Sequence, residues 1–473
     1  MTDVRTVRVG DQKVTAAETT TVRSPYDGRE IAAVPALGGE HVDLAVTAAL
    51  AALAEPIPAW RRAEILDRVA ALLAERIDAF ARTIALEAAK PIATARAEAQ
   101  RAVSTFTFAA VEARKLAGEV VPMDASSAGE GKIAFTLRVP VGVVGAITPF
   151  NFPLNLVAHK VAPAIAAGCP IVVKPARQTP LSAMALAELL LDEAGLPAGC
   201  VNVVTGSGGT VGAALVEHPD VAMITFTGSA EVGWDIRARA ARKKVSLELG
   251  NNSPVIVEPD GDWEGAAGKI RAAGFSHAGQ SCISTQRVLV HRRVAGDFTD
   301  ALAAGVATLR VGDPLDEETE VSALITTGDR DRVKGWIDDA VAGGARVVVG
   351  GDVVDGMLEP TVLADVDQDM KVCREEVFGP VVAVQVYDDF EEALRLANDT
   401  RFGLQAAVYT ADIGKALRAA HVLDFGSVLV NEVPTWRADQ MPYGGVRDSG
   451  NTREGPAYAV REMTEPRLVV IQA

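Results

Sequence analysis

The chain has 473 residues, too many for one simple core, so two or three domains are expected. Hydrophobic residues make up 49% and charged residues 23%, the balance of an ordinary globular enzyme. The net charge of −16, with acids spread along the chain, argues against nucleic acid, a polyanion or an anionic membrane as partner, since each requires a basic face. The opening stretch "MTDVRTVRVGDQKV" has no apolar signal core, and no apolar run approaches the ~20 residues that span a bilayer. The four cysteines, Cys169, Cys200, Cys282 and Cys373, lie far apart without a CxxC pair, and no cluster has metal-ligand spacing. Free thiols of this kind fit a reducing cytoplasm.

Residues 40–118 are alanine-rich with helical periodicity, as in "RRAEILDRVAALLAERIDAFARTIALEAAK", and read as several amphipathic helices ending near Lys115. "KIAFTLRVPVGVVGAITPF" then alternates β-branched residues as a strand or hairpin would. From 142 to 250 apolar strands alternate with helices: "VGAIT" before a helix over 154–167, "PIVVK" before one over 181–195, "VNVVT" before one from Thr210, "AMITFT" before one from Ala230, and "VSLEL" at the close. Such alternation predicts a parallel sheet covered by helices on both faces. A second run of the same kind follows from about 254 to 430, including "ARVVVG" and "VVAVQVY". Two α/β units in series imply two domains with a cleft between them. The final strand "PRLVVIQA" has no neighbour in sequence, which leaves the 132–139 strand or another subunit as its partner.

Three strand ends of the first unit carry groups suited to a dinucleotide. Lys174 follows "IVVK", where ligands of open α/β sheets bind. Gly206, Gly208 and Gly212 form a GxGxxxG loop, a weak signal that a tight strand-to-helix turn would also produce. Ser229 stands where a helix opens and free N–H groups can meet an anion. Cys282, among the small residues Gly279, Gln280 and Ser281, is accessible enough for a nucleophile, although any single cysteine can be buried filler. Asn151 between two prolines can donate to an oxyanion or simply form a turn. Glu248 beside Gly250 at a strand end can act on water or be an ordinary solvated acid.

Together, "TPFNFP", "KPA", "FTGS", "LELGNNSP", "GQSC", "EEVFGPV" and "MPYGGVRDSG" resemble, in order and spacing, the aldehyde dehydrogenase superfamily. The likeness runs from about residue 20 to the end and is nearest in flavour to members acting on lactaldehyde, glyceraldehyde phosphate and phosphonoacetaldehyde. It implies an α/β fold with a Rossmann-type cofactor domain (1–118 and 142–250), an α/β catalytic domain (251–450) and a small β oligomerisation element (119–141 and 451–473). It also implies NAD or NADP as cofactor, a small aldehyde as substrate, and a homodimer or homotetramer.

Residue by residue, the resemblance makes Cys282 the nucleophile that forms a thiohemiacetal and, after hydride passes to nicotinamide, a thioester. Asn151 and the Cys282 N–H would hold the oxyanion, and Glu248 would activate the deacylating water. Relatives that transfer the acyl group to coenzyme A lack that glutamate, so free carboxylate is the expected product. Lys160 and Glu454 match a proton relay. Lys174 and Glu376 match ribose contacts, Phe378 flanks the nicotinamide, and Ser229 meets the pyrophosphate. Thr148, Pro149, Ala176, Gly208, Gly212, Phe226, Thr227, Gly228 and Leu249 complete the expected cofactor contacts.

Two positions depart from the pattern. Arg177 stands where NAD-preferring relatives often carry a glutamate, which points to tolerance of NADP unless the arginine merely faces solvent. Arg447 replaces a common lysine at what reads as a structural loop. Arg101, Arg114, Trp436 and Arg437 are candidates for an acidic or polar substrate. His159 reads as a structural histidine, and His277 is set aside as base in favour of Glu248. The competing readings are a cysteine-dependent acyltransferase or esterase, which has no use for the nucleotide strand ends, and a non-enzymatic protein, which has no use for Cys282, Glu248 and Asn151.

Overall fold

The computed structural model describes residues 4–472. Its first large sheet contains β1 (Val143–Ile147), β2 (Ile171–Lys174), β3 (Val201–Val203), β4 (Val221–Thr227) and β5 (Lys244–Glu248). All pairings are parallel and the order is β5-β4-β1-β2-β3. Strands β1 to β4 are buried almost throughout, which is why they read as continuous apolar runs rather than alternating ones.

The alanine-rich region forms α1 (Gly39–Ala54), α2 (Ala59–Glu75), α3 (Ile77–Ala88) and α4 (Ile92–Lys115). On α2, Ile65, Leu66, Val69, Leu72 and Leu73 make the single apolar stripe that its periodicity requires. The crossovers are α5 (Asn155–Ala167), α6 (Leu181–Glu188), α7 (Ala213–Glu217) and α8 (Ala230–Arg239). Two boundaries differ from expectation. The helix expected over 181–195 widens into a π turn at Leu189–Glu193 before Gly195, whose φ of 76° ends it. The helix expected from Thr210 opens as a π turn over Gly208–Gly212, because adjacent glycines hold α geometry weakly.

The second sheet contains β6 (Pro254–Val257), β7 (Arg287–His291), β8 (Arg346–Val349), β9 (Thr361–Ala364), β10 (Val381–Tyr387), β11 (Gln405–Tyr409) and β12 (Ser427–Val430), in the order β8-β9-β10-β7-β6-β11-β12. It is parallel except at its β8 edge, which pairs antiparallel with β9. The run "ARVVVG" therefore does not continue the β-α-β alternation: its link to β9 carries only a small hairpin, Val353–Val354 with Met357–Leu358, and no crossover helix.

The third sheet joins Val120–Val121, Lys132–Pro140 and Thr464–Gln472. The last strand runs antiparallel to the middle one from Thr464 opposite Pro140 to Gln472 opposite Lys132. Segment 451–473 divides: Pro456–Glu462 is a helix against α4 and α5, and only the strand after it joins this sheet.

The strand order of the first sheet reverses between β1 and β4, and a crevice opens beyond their carboxyl ends. Residues following β1, β4 and β5 there meet residues preceding β7, β10 and β11 of the second sheet in one cavity of about 560 Å³. Two buried carboxylates fix the starts of two helices of the first unit. Glu87 accepts the Leu181 and Ser182 amides at the start of α6, at 2.7 and 2.9 Å. Glu98, ion-paired with Lys90, accepts the Leu154 and Asn155 amides at the start of α5, at 2.9 and 3.1 Å. Both satisfy orphan N–H groups that burial denies to water.

Candidate active site

Cys282 sits on the turn between α9 (Trp263–Phe275) and β7. The turn is forced by three successive left-handed residues, His277, Ala278 and Gly279, with φ of 50°, 53° and 69°. Only the third is a glycine, so the first two store strain close to Cys282. Gly279 is required, since a Cβ there would lie 2.0 Å from the Gly379 carbonyl oxygen. Both ring nitrogens of His277 lack partners, and the ring packs edge-on against Phe152.

The Cys282 sulfur lies 2.8 Å from the Tyr443 hydroxyl. Burial pushes the thiol up to about 12, an effect the tyrosine hydrogen bond partly opposes. Asn151 is buried just beyond β1, and its Nδ2 donates to the Gln280 carbonyl at 2.9 Å. Glu248 ends β5, is 4% exposed, and has no hydrogen-bond partner at either carboxylate oxygen. A Cβ at Gly444 would lie 2.7 Å from its Oε1, so the glycine after Tyr443 makes room for this acid. Asn151, Glu248 and Cys282 line the same cavity.

A buried ionic chain adjoins them. On α5, Lys160 Nζ donates to Thr225 Oγ1 at 3.1 Å and to Glu454 Oε1 at 3.5 Å. The other Glu454 oxygen accepts from Arg437 Nη2 at 2.9 Å, and the Arg437 guanidinium lies 3.8 Å from the Tyr443 ring centroid. Arg437 also meets His159 at 3.3 Å. His159 lies 3.1 Å from Asp439, which pairs with Arg101 at 2.8 Å. Burial alone would raise Glu454, but His159, Lys160 and Arg437 outweigh it and bring the group down to about 2. Glu248 moves the opposite way, well above the usual carboxylate range, through burial and the charge of Glu454.

The crevice fits an extended nucleotide. Thr148, Pro149, Ala176, Phe226, Thr227, Gly228, Ser229, Leu249, Glu376 and Phe378 all line it. The buried hydroxyls of Thr148 and Thr227 have no partner, as groups awaiting a polar ligand would. Ser229 caps α8, whose first N–H groups open into the crevice. Phe150 and Phe378 meet edge-to-face at 5.8 Å, and Phe378 has a φ of 48°. Burial pushes Glu376 up to about 7 while Asn251 N donates to it. A Cβ on Gly250 would strike the Glu376 Oε2 at 2.3 Å.

Other candidates stand apart from that lining. Lys174 is buried beside it, lowered to about 8 by burial, and donates to its neighbour's carbonyl at Pro175. Gly212 packs on the Lys174 side chain, whereas Gly208 lies in open space. The glycine that the loop requires is Gly206, where a Cβ would lie 2.6 Å from Val211 Cγ2. Arg177 is exposed at a small cleft with Ala176, Thr205 and Gly206. Arg114 pairs with Asp67 on the surface and Trp436 is 52% exposed, so neither joins the ionic chain of Arg101 and Arg437. Arg447 is structural, donating to the carbonyls of Asn398, Thr400 and Asp424.

Sequence reasoning named none of Tyr443, Asp439, Arg332, Trp336 and Phe402, although Tyr443 touches the Cys282 sulfur, Asp439 joins His159 to Arg101, and the other three line the cavity. Tyr443 stood inside the quoted "MPYGG", but nothing in that text says which way its ring points. Among the described residues no group of three or more His, Cys, Asp or Glu could hold a metal, and no helix is long and apolar enough to cross a membrane.

Residues 13–469 match the model of the aldehyde dehydrogenase family. The chain is 45% identical over 457 residues to 3-sulfolactaldehyde dehydrogenase of Priestia aryabhattai, covering 97% of this chain and 96% of that one. Aldehyde dehydrogenase 21 of Physcomitrella patens, solved with its product succinate, superimposes with a TM-score of 0.96 at 38% identity, covering 100% and 99% of the two chains. GapN, a glyceraldehyde-3-phosphate dehydrogenase of Methanocaldococcus jannaschii solved with NADP, gives 0.93 at 38% identity, with 97% and 100% covered. The chain belongs to the aldehyde dehydrogenase family. It is an NAD(P)-dependent oxidoreductase that converts an aldehyde to the acid.

Proposed function

We propose that Cys282 is the nucleophile of this reaction, that Asn151 and Glu248 serve it, and that the substrate is a short aldehyde carrying an anionic group. The observation that carries the reading is the shared cavity, which brings Cys282, Asn151 and Glu248 into the crevice lined by the nucleotide-type residues. The Cys282 sulfur, its proton released, adds to the carbonyl carbon, and the acyl group is left on sulfur once that carbon gives up its hydrogen as hydride. The second N–H of Asn151 Nδ2 and the Cys282 backbone N–H hold the oxygen that gains charge, worth about 10²–10³ in rate for one good donor. Nicotinamide, when bound in the crevice, would supply the acceptor for that hydride. Glu248, without a partner and raised by its surroundings, removes a proton from the water that cleaves the thioester. Lys160 and Glu454 pass that proton onward through their contact.

Thr148, Thr227, Ser229, Glu376 and Phe378 would hold the nucleotide, with Lys174 beside them. Arg177 would meet a 2′-phosphate, which favours NADP.

The anionic substrate is supported by the ionic chain behind Tyr443. Arg101, Arg437 and Lys160 face two carboxylates, Asp439 and Glu454. That leaves one cation in excess. The relatives named for sulfolactaldehyde and solved with succinate handle compounds of this kind.

A second copy of the chain would cover the three-stranded sheet, where Ile133, Leu137, Leu468, Val470 and Ile471 are exposed, giving a dimer or a dimer of dimers. The cytoplasm is the compartment that suits its four free cysteines.

The test mixes the protein with short aldehydes, anionic and neutral, and NAD or NADP, and follows reduced cofactor by absorbance. Sulfolactaldehyde and succinic semialdehyde should outperform neutral aldehydes of equal length. Cys282→Ala should abolish turnover and still bind cofactor; retained turnover would remove the nucleophile assignment.

A further inference from the structure

Tyr443 Oη, at 2.8 Å, is the one side-chain hydrogen-bond partner of the Cys282 sulfur among the described residues. Neither Asn151, whose amide is turned to Gln280, nor Glu248, which has no partner, holds that sulfur. The tyrosine is itself held on three sides. Its backbone is bridged to Glu454 by Tyr443 N donating to the Glu454 carbonyl at 3.1 Å and by Glu454 N donating back at 2.5 Å. Its ring face is covered by the Arg437 guanidinium, whose side chain is only 4% exposed. Ile283 and Leu404 pack with it in one apolar cluster. A phenol held this way cannot swing to solvent.

We propose that Tyr443 is a positioning residue for the nucleophile: its hydroxyl fixes the Cys282 side chain facing the crevice and donates a hydrogen bond to the thiolate. A thiolate buried in this site has lost most of its hydration, and one donor at 2.8 Å replaces part of it. Once the sulfur bonds to carbon its negative charge is gone and the interaction weakens, so the tyrosine favours the attacking form over the acylated one. The same contact tethers the nucleophile to the ionic chain. Cys282 touches Tyr443, which stacks under Arg437, which is paired with Glu454, which contacts Lys160. This inference rests on Cys282 being the nucleophile.

The test reads the sulfur directly, without substrate. Full-length protein is treated with iodoacetamide across pH, and alkylation of the Cys282 peptide is followed by mass spectrometry. The midpoint of the rate profile reports the thiolate. In Tyr443→Phe that midpoint should move to higher pH, and alkylation at a fixed pH below it should slow about tenfold or more, as loss of a hydrogen bond to a charged group implies. A fluorotyrosine at 443, a more acidic phenol of nearly the same size, should move the midpoint the other way, which keeps the test informative if the phenylalanine variant folds poorly. NADP binding, followed by protein fluorescence, should persist in both variants. Identical alkylation profiles in wild type, Tyr443→Phe and the fluorotyrosine protein would overturn the proposal. Loss of the nucleophile assignment would show separately, as aldehyde oxidation surviving in Cys282→Ala.

Discussion

Asn151 donates its side-chain amide to the backbone carbonyl of Gln280, two residues ahead of Cys282, at 2.9 Å. The bond ties the segment after β1 to the Cys282 loop and leaves the second N–H of the same nitrogen free. Asn151 thus holds the loop, and the oxyanion role proposed for it falls to that second N–H. Asn151→Ala should lower kcat by about 10²–10³. Asn151→Asp retains the size but offers no N–H, and should lose as much. Single-turnover kinetics would show the loss in the burst of reduced cofactor; a full burst with only slow release would contradict the oxyanion role.

The pH profile should follow Glu248. Its folded pKa is raised, so the carboxylate that activates water forms only as pH climbs above the usual carboxylate range. Hydrolysis of the thioester should therefore rise with pH along a limb that lies above the usual carboxylate range. The first cause is burial and the second is the negative charge of Glu454. Glu454→Gln removes that charge, so the rising limb should shift to lower pH. It should also lower kcat, because Arg437 and Lys160 lose their shared partner. A limb that stays in place while kcat falls would mean Glu454 acts only by packing.

Arg177 offers a cleaner test because it is exposed and belongs to none of the buried networks. A guanidinium can pair with a 2′-phosphate in a bidentate way, whereas a carboxylate repels it. Arg177→Glu should change the NADP-to-NAD ratio of kcat/KM at least tenfold toward NAD, an estimate from about 1.5–3 kcal/mol for a charged hydrogen bond. The effect should sit in KM and shrink with added salt. An unchanged ratio would place the side chain in solvent.

The sequence made the parallel sheets legible because buried parallel strands are continuous apolar runs, and "VVGAI", "IVVK" and "ITFT" are that. It failed at β8, where "ARVVVG" has the same composition but is linked to β9 by a short hairpin, and connection length decides direction. Cys282, Glu248 and Asn151 could be grouped only through the family resemblance of their motifs, since each alone had an ordinary structural reading, and the fold brings the three to one cavity. The ionic chain through Asp439, Arg437 and Glu454 was only partly visible: its members are scattered from α4 to the C-terminal region and converge through tertiary packing. The glycine loop misled in one detail. Gly208 is open to solvent, and the residue that truly needs to lack a Cβ is Gly206, pressed against Val211 and the Leu37 carbonyl. Spacing shows that a turn exists, not which glycine is crowded.

The most informative stability variant lies outside the site. Glu98 is fully buried on α4, paired with Lys90, and accepts the first amides of α5, the helix that carries Lys160 and follows Asn151. Lys90 in turn sits 3.6 Å from the Phe152 ring centroid. Glu98→Ala would strand a buried ammonium and two amides together, and should destabilise the protein by about 3–5 kcal/mol. The double variant Glu98→Leu with Lys90→Met removes both charges and fills their volume, so much of the stability should return. Activity should not return with it, because Leu154 and Asn155 still lack an acceptor and the Asn151 turn is no longer pinned. Urea unfolding gives the first comparison and kcat the second. Recovery of both together would mean that Glu98 acts on stability alone and that the Asn151 turn is fixed by other contacts.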